Sequence, residues 1–219
     1  MISSISILAI AALGIFALRL GTIYSHTRNP YHLMLSISAV AGAITVLAWM
    51  NPPWLNTTGI HEHLYIWARA LSAACLLSAA AWLIYRLKPQ FARFPAFFCF
   101  LPFILLLVLP ALLGGSVLKE IVFLIYQGGA GLILVLLYSN QLEGNKGNLL
   151  ILLGVIISGL SIILYLMPDI WLKIPHYVVP VPLILGVIMA SFGFDVRYKE
   201  LGAIIDENSI QRNLQTEDL

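Results

Sequence analysis

Charge is what this chain most lacks. Only 10% of its 219 residues are Asp, Glu, Lys or Arg, where an ordinary soluble domain carries about 25%. A chain so poor in polar groups cannot cover its own surface in water. The net charge is +2, with no basic run, which excludes nucleic acid as a partner. Cysteine is nearly absent as well. Cys75 and Cys99 both fall in apolar stretches, with no CxxC pair, so there is no disulfide framework. No HExxH, GxSxG, P-loop, EF-hand or Asp-rich prenyl-diphosphate motif occurs, and the hydrolytic and nucleotide-driven chemistries those motifs serve have no foothold. Residues 177–194 contain no lysine, which excludes a retinal Schiff base there. The apolar stretches are almost free of Asp, Glu and His. Proton pumps and ion-coupled carriers keep such groups in the bundle, so their scarcity argues against those classes. No Lys or Arg precedes the first apolar run, as a cleaved signal peptide requires.

What is there is hydrophobic: 60% of the residues, with a mean hydropathy of +0.94. A membrane-spanning helix needs about 20 apolar residues. Seven such runs are visible, at 2–24, 33–50, 64–85, 94–113, 121–139, 149–167 and 177–194. The expected fold is therefore all-α, a polytopic bundle of seven transmembrane helices over residues 1–195. A short polar cytoplasmic tail, 196–219, follows and is expected to be a partly ordered end. The positive-inside rule sets the direction. With the N-terminus outside, Arg19, Arg28, Arg86, Lys88, Arg93, Lys146, Arg197 and Lys199 are cytoplasmic, against Arg69, Lys119 and Lys173 outside. Trp49, Trp54, Trp67 and Trp171 then fall at outer ends, where amphipathic rings anchor. The lipid bilayer is the first partner this implies, in a bacterial inner membrane, with a membrane-protein partner or a homo-oligomer as the second.

Few polar groups lie within the spans. The fifth run contains Tyr126-Gln127-Gly128-Gly129-Ala130-Gly131. Glycines weaken a helix and a buried amide needs a partner. The segment reads either as a broken helix lining a ligand site or as a close helix–helix contact. Arg69 lies about two turns into the third run, where a charge must snorkel or pair. Snorkelling is the expectation; an anion contact near Glu62, Glu120 and Asp169 is the alternative. Gly154, Ser158 and Ser161, like Ala70, Ala74, Ser78 and Ala81, form stripes of small residues suited to helix packing. Pro102 and Pro110 should kink the fourth helix, and Pro180 and Pro182 the seventh.

His61, His63 and His176 fall on the outer side, with Glu62 and Asp169 nearby. They are a candidate metal set, provided that residues 59–63 are not helical, because histidines two apart on a helix diverge by about 200°. No cofactor is required by the sequence. Met50, Trp54 and Leu55 repeat the spacing of Met167, Trp171 and Leu172, as a duplication of helices 1–3 and 5–7 around helix four would give.

Three functions fit. The first is a non-catalytic sensor, ligand-binding or partner-interaction module. The second is a small-solute carrier or carrier subunit built on the 3+1+3 repeat. The third is a metal, haem or redox protein using the external histidines. In its N-out, seven-span plan the chain resembles the membrane-sensing parts of some bacterial histidine kinases. That resemblance implies a sensor whose output a partner carries through the tail.

Overall fold

A computed structural model describes residues 4–50, 52, 60–87, 116–139, 145–166 and 178–217. Six helices form among these residues, and no strand. They are α1 (Ser4–Thr27), α2 (Pro30–Trp49), α3 (His61–Leu87), α4 (Ser116–Ser139), α5 (Lys146–Leu166) and α6 (Pro180–Glu217). Four are long and apolar enough to cross a membrane: α1, α2, α3 and the first part of α6. The expected span 94–113, with its prolines, lies outside the described residues, as do Asp169 and His176.

Local chemistry explains the ends. Arg28 takes a positive φ of 52°, and its N–H donates to the Tyr24 carbonyl at 2.8 Å, closing α1. Asn29 then caps α2: its side chain accepts from the Tyr31 N–H at 3.2 Å, and Pro30 takes the first helical position, where a missing N–H costs nothing. Asn145 caps α5 in the same way, accepting from the Asn148 N–H at 2.9 Å. Pro180 and Pro182 open α6 instead of kinking it: the helix starts at Pro180, so both fall in the first turn, whose N–H groups have no partner to lose.

The helices form a closed ring in chain order, with α6 packed back on α1. One apolar layer fixes their directions. It takes Leu20 and Ile23 from late in α1 and Tyr31 and Leu35 from early in α2. Ala79, Ala80 and Leu83 come from late in α3, Leu134 and Tyr138 from late in α4, Ile151 and Leu152 from early in α5, and Phe194 from α6. Successive helices therefore alternate, except that α3 and α4 run the same way. The outward faces are apolar too, with Leu8, Leu18, Ile125, Leu132, Leu185 and Phe192 exposed. Greasy outside and inside together suit lipid, and the protein is membrane-embedded.

The tightest seam joins α5 to α6. Gly147, Gly154, Gly186 and Gly193 lie along it. A Cβ on Gly154 would stand 2.6 Å from the Ala190 nitrogen, and one on Gly193 2.7 Å from the Gly147 carbonyl oxygen. The Gly154–Ser158–Ser161 stripe is a packing surface. Where α6 meets α1, Arg19 of α1 pairs with Asp195 of α6 and donates to Ser191 Oγ at 3.2 Å. Both members of the pair are more than a third exposed (43% and 37%), so it contributes about 1 kcal/mol at most. Past Asp195, α6 continues unbroken to Glu217. The polar segment after Asp195 thus belongs to the same helix as the last span.

Candidate functional site: a cavity inside the ring

The ring lines a partly open cavity of about 340 Å³ to which every described helix contributes, within the roughly 300–1,000 Å³ of small-molecule sites. Its waist is apolar, with Leu13, Phe16, Leu35, Leu76, Val155 and Val187 in the wall. The hydroxyls at this level are committed to packing. Ser38 Oγ donates to the Ser72 carbonyl at 2.9 Å, and Ser72 Oγ to the Ser38 carbonyl at 3.1 Å, lacing α2 to α3.

At the end nearer the starts of α3 and α4, the wall is polar. Arg69 and Gln127 meet there, the Arg69 Nε donating to Gln127 Oε1 at 3.5 Å. Arg69 Nη1 also donates to the Tyr65 hydroxyl at 3.1 Å. Its guanidinium carbon sits 4.6 Å from the centre of the Phe123 ring and 5.7 Å from that of Tyr65. Arg69 is only 4% exposed. It does not snorkel: the aromatic faces of Phe123 and Tyr65 and the oxygens of Gln127 and Tyr65 are among the groups that hold it within the bundle. Gly131 lines the cavity beside Gln127, while Gly128 is exposed on the outer face and Gly129 half-buried. A Cβ on any of the three meets nothing within 4 Å, so among the described residues they make no close helix–helix contact. Nor do they break the helix, which is continuous over Ser116–Ser139.

The far end is closed by aromatics. Tyr31 and Tyr138 are buried, and their hydroxyls hydrogen-bond to each other across the ring. Phe194 packs beside them, its ring centre 6.2 Å from that of Tyr31, 6.0 Å from His32 and 6.0 Å from Phe16. Arg197, one turn further along α6, stands 5.8 Å from the Tyr138 ring centre. Nothing in the sequence marks these tyrosines, because tyrosines near helix ends are ordinarily interfacial anchors. Tyr31→Phe and Tyr138→Phe should each cost about 1 kcal/mol. The double variant should cost little more than either alone, since both break one bond. Unfolding in mixed micelles measures this, and strictly additive losses would show that the hydroxyls do not pair.

The histidines do not converge among the described residues. His61 and His63 sit in the first turn of α3, so the extended backbone that a shared metal needs is absent, and the rings diverge. The buried His61 Nδ1 has no hydrogen-bond partner among the described residues. No group of three or more His, Cys, Asp or Glu among them could hold a metal ion.

No protein-family model matches the chain, and neither a curated protein nor a solved structure does.

Proposed function

We propose that the protein is a membrane-embedded, non-catalytic sensor: a small molecule occupies the cavity, and α6 carries the response to a partner at the membrane surface. The observation that carries this reading is the shared residue at the cavity floor. Phe194 lines the cavity and belongs to the helix that continues past the span to Glu217. An occupant that displaces the Tyr31–Tyr138–Phe194 floor must also displace α6.

The topology proposed with it has seven spans, with the N-terminus outside. The parallel course of α3 and α4 supports that count. The end of α3 and the start of α4 lie at opposite ends of the bundle, and the apolar run 94–113 lies in the sequence between them. The charge distribution supports the direction.

A side chain standing in for an occupant tests the coupling. Gly131→Leu projects into the cavity from a position where a Cβ meets nothing. Spin labels at the exposed residues Val40 on α2 and Tyr198 on α6, in protein held in lipid nanodiscs, report their separation. We expect Gly131→Leu to shift it by about 2 Å, the scale of helix displacements in membrane and soluble switches. Identical distance distributions in the two proteins would reject the sensor.

A carrier is the second reading, and one observation favours it. The triplets α1–α3 and α4–α6 share the same sequence of directions, and in each the second helix is capped by an asparagine, Asn29 or Asn145. This is the disposition that a parallel repeat gives. A carrier must open at both ends, so radiolabelled solute uptake into proteoliposomes that Tyr138→Ala accelerates would turn the assignment toward transport.

A further inference from the structure

The cavity's two ends differ in chemistry, and the difference selects a ligand. At the polar end the wall offers donors. Arg69 carries only N–H groups and a permanent charge. Gln127 gives its carbonyl oxygen to Arg69, which leaves its amide nitrogen, with no partner among the described residues, at the wall of the cavity. From there to the floor the lining is mostly aliphatic and aromatic, and the Ser38, Ser72 and Ser161 hydroxyls among it donate to backbone carbonyls. Gln127 and Tyr138 are eleven positions apart on α4, about 16 Å along the axis. That is the reach of an extended chain of roughly ten to twelve carbons.

We propose that the cavity takes a single-chain amphiphile whose head bears acceptor oxygens, a carboxylate or an acyl ester. The head lies against Arg69 and Gln127, and the chain runs to the Tyr31–Tyr138 floor. This rests on the cavity being a ligand site, as the sensor reading requires. An ammonium head is disfavoured because it brings no acceptor for the Gln127 amide or for the N–H groups at this end. The shape of the ring agrees. Its volume of about 340 Å³ is at the small end for ligand sites, which favours one chain over two. The chemistry could come from a free fatty acid or from a lyso-lipid of the bilayer itself.

The test is photoaffinity labelling of the whole protein in nanodiscs, using dodecanoate with a diazirine at the far end of its chain. The label is expected on residues 31–35 or 134–138 at the floor. Unlabelled dodecanoate should compete at least about tenfold better than dodecyltrimethylammonium, and Gln127→Leu should weaken dodecanoate about tenfold, the loss of one hydrogen bond to a charged group. Gly131→Leu and, from α6, Leu183→Trp should each abolish labelling by filling the cavity; two plugs guard against one failing to fold. Competition by lauroyl lysophosphatidylcholine alone would assign the ligand to the bilayer, and competition by the free acid alone to a diffusing fatty acid; both uphold the acceptor head. Equal competition by dodecanoate and dodecyltrimethylammonium would overturn the head-group assignment while leaving the cavity as a ligand site. Label at 65–69 instead of the floor would overturn the orientation. Labelling untouched by either plug would remove the cavity as a ligand site, and the sensor reading with it.

Discussion

Gly186→Val should leave little folded protein. The α5–α6 seam is built of backbone against backbone. A Cβ on Gly186 would meet the Gly154 carbonyl oxygen and Ser158 Oγ inside any tolerable separation, and would stand 2.5 Å from the Ser158 nitrogen. None of these atoms except the hydroxyl can rotate away, so the two helices must separate. Inserting bulk into a packed interior usually costs 1–3 kcal/mol; with backbone on the receiving side, we expect about 3 kcal/mol or more. Inside a bilayer, where apolar burial gives helices no reason to associate, close packing is what holds such a pair. The comparison that isolates the effect is Gly131→Ala. Its Cβ meets nothing, and alanine favours the helix by roughly 0.5–1 kcal/mol, so this variant should equal or exceed the parent. The fraction recovered as a monodisperse peak after detergent extraction, with unfolding in SDS mixtures, reads both. A Gly186→Val protein as stable as the parent would mean that α5 and α6 do not meet along these glycines.

Phe123→Ala should be the other severe lesion. Phe123 is 1% exposed and lies beneath the Arg69 guanidinium at 4.6 Å. Truncating a buried phenylalanine costs about 3–5 kcal/mol through lost contacts and the void left behind. Part of that belongs to the charge, since a cation over a desolvated ring contributes about 0.5–2 kcal/mol. Phe123→Leu retains the apolar bulk and loses the ring, so it should cost about 1–2 kcal/mol in the parent. In an Arg69→Met background the same change should cost clearly less. An equal cost in both backgrounds would mean that the ring does nothing for the cation.

These two sites differ in how far the sequence reveals them. The small-residue stripe Gly154–Ser158–Ser161 reads correctly as packing from composition and spacing. Its counterpart was legible by the same logic: Gly186 and Gly193 are seven apart, as are Gly147 and Gly154, the repeat of one helix face. Arg69 was legible as costly but not as buried. Two turns from a helix end is within snorkelling reach, and only the packing of α4 against α3 brings Phe123 and Gln127 to it. The glycines at 128, 129 and 131 suggested either a close helix–helix contact or a break. Yet a helix in an apolar medium has no other partner for its backbone groups, which favours an intact α4. The cavity itself has no sequence signature, because it is a space between helices and belongs to none of them. The spans α1 to α3 and the first part of α6 were visible from hydropathy alone.

The unbroken course of α6 has a mechanical consequence. From Phe194 to Glu217 the helix extends about 35 Å at 1.5 Å per residue. On the sensor reading proposed above it is a lever whose short arm lies among the rings of Phe16, Tyr31 and His32. A tilt of about 5° at that fulcrum moves the distal tip by about 3 Å over such a length, an amplification obtained from stiffness alone. On that reading, two glycines inserted after Lys199 would leave the cavity untouched and uncouple the distal segment from it.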